Sequence, residues 1–212
     1  MRYEKFRKKY QKDWLVDSCF VAEESGKPVQ IVRNQLSRWA KKDLLIPLRR
    51  GFYSFPPETD TDAGNLFYAA NRLYEPSYIS LESALSFYGL IPEKVSMLTS
   101  VTTKKTMRFK NPLGRFVYQH VKPRIFRGFK QVEMDRTMVF MAEPEKAVLD
   151  FLYLNLGRIR PPFGDQLLSS YRFQNLDALN SGRLREWSRL YQVKKLQRVV
   201  LELSCLIREA SK

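Results

Sequence analysis

Apolar positions along the chain switch between helical and strand-like spacing, and each switch marks a different class of element. In residues 28–40, Val32, Leu36, Trp39 and Ala40 recur at helical spacing, with Pro28 at the start, where its missing N–H costs nothing. Leu44-Leu45-Ile46 then leads into Leu48-Arg49-Arg50-Gly51-Phe52-Tyr53, which reads as a tight hairpin with Arg-Arg-Gly at its tip. Leu48, Phe52 and Phe55 are placed to reach a core. Upstream, residues 13–25 read as one helix with Trp14, Leu15, Phe20 and Val21 on its core face, stopped by Gly26-Lys27-Pro28.

After Phe55 the pattern breaks into prolines and acids from Pro56 to Asp62, the signature of a linker. A helix is expected from residue 63 to about 74, started by Asp60 or Asp62 and ended before Pro76. A second is expected over residues 80–88, with Leu81, Ala84, Leu85 and Tyr88 on one face and Gly89 as its stop. A β-rich middle follows, with strands expected at 97–102, 114–121, 124–126 and 137–141. Residues 143–154 return to helix with Pro144 in the first turn, and the remainder reads as helical. The final helix, 194–210, has an apolar stripe at Leu196, Val199, Val200, Leu203 and Ile207, and an outer face of Lys194, Lys195, Gln197, Arg198 and Arg208. The expected fold class is α+β. Residues 1–55 form a winged helix-turn-helix unit for DNA, and residues 63–212 form a larger mixed α+β unit that ends in helices.

Charge narrows the partners. The chain holds 37 Lys+Arg against 22 Asp+Glu, a formal +15, and residues 1–55 alone carry thirteen basic and six acidic residues. Like charges oppose compaction, so such an excess points to a polyanion, either nucleic acid or an anionic membrane face. The longest apolar run, 138–142, has five residues, against the roughly 20 of a membrane span. Residues 2–14 mix aromatic and basic positions without separating them into two faces. Cys19 and Cys205 sit in apolar stretches and are expected as buried free thiols in a reducing cytoplasm.

The polar face of the helix that Pro28 starts carries Gln30, Arg33, Asn34, Ser37, Arg38 and Lys41. Arg suits guanine, and Asn or Gln suits adenine. With Arg49 and Arg50 at the hairpin tip to hold phosphate or enter the minor groove, the order is that of a winged helix-turn-helix. A solvated basic helix beside an ordinary hairpin is the competing reading; the agreement of charge, spacing and hairpin favours DNA. A second basic stretch, Thr102, Thr103, Lys104, Lys105 and Arg108, is a possible phosphate or partner surface, or a solvated loop. Arg115, Lys122, Arg124, Arg127 and Lys130 extend it.

Catalysis finds little footing. Glu143, Glu145 and Lys146, with Asp135 or Asp150, have the residue types of a metal-dependent nuclease. Crowded beside Pro144 at a helix start, however, the acids read as favourable to the helix dipole. His120, the sole histidine, reads as an ordinary strand position, and Ser77, Ser80 and Ser83 have no histidine to activate them. No glycine-rich phosphate loop is present. Neither a cofactor nor a metal is expected, and the chain is not expected to be an enzyme.

The run LSRWAKKDLLIPLRRGFYSF (36–55) resembles the N-terminal winged-helix domain of AbiEi-type antitoxins of type IV toxin–antitoxin and abortive-infection modules. Leu36, Ser37, Arg38, Lys41, Lys42, Leu44, Leu45, Leu48, Arg49, Arg50, Gly51 and Tyr53 match the family pattern. Asp43 stands where Gly is usual, at a helix end that Asp tolerates less well. The resemblance continues through residues 76–85, 89–93, 100–104 and 144–147 with Asp150, and covers about 14–155. It implies a phage-defence role. The protein would repress its own operon by binding inverted repeats in double-stranded DNA upstream, and its C-terminal domain would counter a cognate nucleotidyltransferase-type toxin, without a stable complex. The alternative is an interaction protein whose basic C-terminal body binds an acidic partner directly.

Overall fold

The computed structural model describes residues 2–56, 63–134 and 137–210. The stretch 57–62, with most of the expected linker and the acids expected to start the next helix, lies outside the described residues, as does Asp135.

The chain opens with α1 (Tyr3–Tyr10), a 3-10 turn at Gln11–Asp13, β1 (Leu15–Asp17), α2 (Ser18–Ser25), α3 (Val29–Ala40) and a hairpin of β2 (Ile46–Arg49) and β3 (Phe52–Ser54). β3 is the middle strand of an antiparallel sheet, with Leu15 and Ile46 both opposite Ser54. The single helix expected over 13–25 is therefore corrected to a strand followed by a helix. Asp17 starts that helix by accepting the Cys19 N–H at 2.8 Å, and a short acidic side chain is a preferred N-cap. Starting α2 at Ser18 turns Val21 and Ala22 inward and leaves Phe20 52% exposed. Trp14 and Leu15 lie partly buried against the larger unit instead. Phe6, Tyr10, Trp39 and Phe55 close over Val32, Leu36 and Leu45, and the Phe6 and Trp39 ring centroids are 4.7 Å apart.

Two helix ends close in the same way with different residues. After α2, Gly26 takes φ +63° while Lys27 N–H donates to Ala22 O. After α3, Asp43 takes φ +57° while its N–H donates to Ala40 O and Leu44 N–H to Trp39 O. This pairing of 5→2 and 6→1 bonds requires a left-handed residue, which glycine supplies without strain and aspartate does not.

The larger part is mixed α+β. It comprises α4 (Ala63–Leu73), β4 (Ser77–Ile79), α5 (Leu81–Phe87), β5 (Met97–Thr102), β6 (Met107–Asn111), β7 (Gly114–His120), β8 (Phe129–Met134), β9 (Thr137–Ala142), α6 (Pro144–Asn155), a short turn α7 (Phe163–Asp165), α8 (Ser181–Leu190) and α9 (Lys194–Ala210). The six strands run in the order β6-β7-β5-β4-β9-β8, with β5–β7 and β4–β9 parallel and the other pairs antiparallel. Period-2 alternation sends neighbouring side chains to opposite faces. Tyr118 Oη donates to Ala70 O of α4 at 2.6 Å, whereas Tyr78 Oη donates to Asp150 of α6 at 2.9 Å. The sheet is thus layered between α4 and α6. Residues 124–126, expected as a strand, are corrected to a turn: Arg124 and Ile125 belong to a 3-10 turn at Pro123–Ile125, and Phe126 follows it. The segment between α6 and α8, expected as helical, is mostly short turns. Both cysteines, expected buried, are exposed; Cys205 falls off the α9 stripe, and Cys19 faces the outer side of α2. No helix among the described residues is long and apolar enough to cross a membrane.

One ion pair lies inside this unit. Lys146 and Asp150, one turn apart on α6, are 2% and 0% exposed and bonded to each other. Asp150 Oδ2 also accepts from Tyr78 Oη and from Ser80 Oγ at 3.0 Å, and Oδ1 accepts from Tyr191 Oη at 2.8 Å. Burial, reinforced by the Asp150 charge, holds both tyrosines well above their ordinary pKa, so they remain donors. Burial pushes Lys146 down, against the pull of Asp150.

Two outcomes are expected in urea unfolding. Asp43→Gly removes the left-handed penalty and retains a net gain of about 0.5–1 kcal/mol after the glycine entropy cost; an unchanged midpoint would argue against strain there. Asp150→Ala strands a buried ammonium and costs about 3–5 kcal/mol; a loss below about 1 kcal/mol would mean that water reaches the pair.

Candidate nucleic-acid interface

The hairpin and α3 are held together through the start of α2. Ser18 N–H donates to Gly51 O at 2.8 Å. Gly51 has φ +83°, and a Cβ there would meet Ser18 Oγ at 2.7 Å, so the turn can approach α2 only as glycine. Arg33 of α3 completes the joint, with Nε donating to Ser18 Oγ at 3.2 Å and Nη2 to Cys19 Sγ at 3.7 Å.

This arrangement divides the residues expected to read DNA. Gln30, Asn34, Ser37, Arg38 and Lys41 are exposed on one side of α3, and Gln30 Nε2 donates to Asn34 Oδ1 at 3.0 Å. Arg50 is exposed in the hairpin turn. Among the described residues no carboxylate pairs with Arg38, Lys41 or Arg50. Arg33 is half-buried and committed to the joint. Arg49 is also half-buried. Its guanidinium lies 3.8 Å from the Phe52 ring centroid, Nη1 donates to Arg50 O at 3.3 Å, and Nε is buried without a partner. Burial lowers its pKa, against the charge of Asp17. Arg49 faces the seam with the larger unit, where Asn111 Nδ2 donates to Leu48 O at 3.2 Å and Leu48 and Phe52 join the larger core.

One member of the exposed face was not anticipated. Ile31 is 58% exposed beside Asn34 and Arg38. An apolar residue there suits a thymine methyl, and its signal in the sequence is a β-branched residue outside the Val32–Leu36–Trp39 stripe.

The second basic stretch is also divided. Thr102 is buried; its Oγ1 donates to Pro76 O at 2.7 Å and accepts from Lys104 N–H at 3.1 Å, closing a turn. Thr103 is half-buried, and Lys104, Lys105 and Arg108 are exposed. Lys104 Nζ stands 5.5 Å from the Tyr74 ring centroid, and its carbonyl lies 3.0 Å from His120 Nδ1. Arg108 points to a separate cleft.

The acidic cluster does not converge on an open site. Glu143, at the N-cap position, makes no side-chain capping bond, and its carboxylate accepts from Arg183 of α8 at 2.5 Å. Glu145 is buried, accepting the Asn180 N–H at 3.0 Å, with Arg183 3.6 Å away. The acids sit at the helix start as expected, Glu143 at the N-cap and Glu145 in the first turn, and they also tie α6 to α8. Lys146 and Asp150 are sealed under two tyrosines.

No family model and no curated protein matches this chain.

The split between joint and surface has a direct test in unfolding free energies. Arg33→Ala should cost about 1 kcal/mol through its lost hydrogen bonds, and Arg38→Ala should stay within about 0.5 kcal/mol. Equal small effects would place the Arg33 side chain in solvent.

Proposed function

We propose that the chain is a sequence-specific DNA-binding regulator whose N-terminal elements act as a winged helix-turn-helix. α3 enters the major groove, and the turn between β2 and β3 rests on the flanking phosphate or in the minor groove. The observation that carries this reading is the exposed face of α3, with Arg38 and Lys41 unpaired among the described residues, on the same joint as Arg50. Gln30 and Asn34 read adenine, Arg38 reads guanine or grips phosphate, and Lys41 and Arg50 hold the backbone. Arg33 and Arg49 serve as positioning residues, keeping helix and hairpin in fixed relation.

In line with the resemblance to AbiEi-type antitoxins, the DNA is taken to be inverted repeats upstream of the protein's own operon. The larger unit is taken to counter a nucleotidyltransferase-type toxin without a stable complex.

Fluorescence anisotropy on the upstream duplex and on a scrambled one, across a salt series, tests the reading. The native duplex should bind more tightly by several kcal/mol. Arg50→Ala should weaken both duplexes and flatten the logarithmic salt slope by about 1, whereas Arg38→Ala should cost about 1–3 kcal/mol on the native site only if it reads a base. Equal binding of both duplexes, unaltered by either substitution, would remove the α3 face as a reader.

A further inference from the structure

A second basic surface lies on the larger unit. Where the sheet extends past α5 and α6, its α6-side face opens into a cleft of about 680 Å³. The walls are β5, β6 and β7, the start of α5 and the residues at the C-terminal end of α6. Arg108 and Lys110 of β6, Arg115 of β7 and Arg158 beyond α6 line it, with Leu81, Met97, Val117 and Leu154 supplying apolar surface and Glu82 the one carboxylate.

The sheet register explains why these charges share a face. Arg108 and Lys110 alternate to one side of β6, and Lys110 lies directly opposite Arg115. Like charges facing each other across strands destabilise a sheet. All four cations are exposed, and among the described residues no carboxylate pairs with any of them. Some cations elsewhere do have carboxylate partners, as with Arg183 to Glu143 and Arg172 to Glu93.

We propose that this cleft binds a nucleoside polyphosphate. Its volume falls within the roughly 300–1,000 Å³ of small-molecule sites, too small to seat a nucleic-acid duplex. Four unpaired cations match the charge of a triphosphate, and arginine forks suit phosphate oxygens. The apolar surface receives the base. Glu82 repels a bare polyphosphate and accepts ribose hydroxyls, as acidic residues do in other nucleotide sites. The site is independent of the DNA-reading face, so either can fail alone.

Titration of the full chain by isothermal calorimetry near physiological salt decides the matter. The probes are the four ribonucleoside triphosphates, inorganic triphosphate and the unphosphorylated nucleosides. At least one ribonucleoside triphosphate should saturate the protein, with inorganic triphosphate and nucleoside each weaker by about tenfold or more. Arg108→Ala with Arg115→Ala should weaken that binding by about tenfold for each lost contact, with a melting temperature that does not fall, because the Lys110–Arg115 repulsion is removed. The control pair Lys122→Ala with Lys130→Ala should bind as the parent does. If the double variant fails to fold, Arg158→Ala, on the opposite wall, should show the loss. The proposal is overturned if no triphosphate saturates below millimolar concentration, if inorganic triphosphate binds as tightly as the nucleotides, or if folded cleft variants bind undiminished.

Discussion

Lys146 and Asp150 take a full charge pair out of water, and the elements around them are placed so that neither ion is left without partners. Moving such ions into an interior costs several kcal/mol each, repaid only when the remaining donors and acceptors are also matched. Here the match comes from four parts of the chain. β4 brings Tyr78, the residue before α5 brings Ser80, α6 brings both ions, and the end of α8 brings Tyr191, whose Oη also accepts from Lys146 Nζ at 2.9 Å. The sheet, α6 and the C-terminal helices cannot slide past one another without exposing an unpaired ion to an apolar environment. An apolar core would tolerate several such slips; this one specifies a register.

The same requirement organises the second contact between α6 and α8. Arg183 reaches Glu143 and Glu145 and lies over the Trp187 ring, 4.5 Å from its centroid. A helix with the residue types of a nuclease site is a strut, with Glu143, Glu145, Lys146 and Asp150 all bonded to neighbouring elements. Its residue types alone do not separate these roles, because a carboxylate and a lysine serve a metal site and an interior ion pair equally well. Solvent access separates them.

Charge excess is likewise divided by the fold. Arg33 and Arg49 add to the formal +15, yet one is bonded to Ser18 and Cys19 and the other is stacked on Phe52. Both act as mortar between elements, using the long apolar stem and planar head that make arginine a packing residue. Among the exposed cations without a carboxylate partner in the described residues, two groups stand out, one on the outer side of α3 with the hairpin turn and one in the β6–β7 cleft. A net charge does not say over how many surfaces it is spread.

Periodicity by itself determined α3, α6 and α9, the hairpin around Gly51 and the mixed α+β class, because an apolar stripe and a turn glycine are local signals. It also identified the exposed face of α3, since a helix with one buried stripe must present the rest. Tertiary structure alone decided the short strand β4, buried on both faces between β5 and β9, and the charged strands β6 and β8 at the two edges of the sheet, largely exposed and each paired with the strand that follows it. It decided too that residues 15–17 pair with β3 instead of extending α2, which left Phe20 outside. Finally, it decided which arginines are free and which are committed, and it set Lys110 opposite Arg115. Those outcomes depend on strand pairing and, for β1 and β4, on contacts between segments far apart in the chain, about which local spacing carries no information.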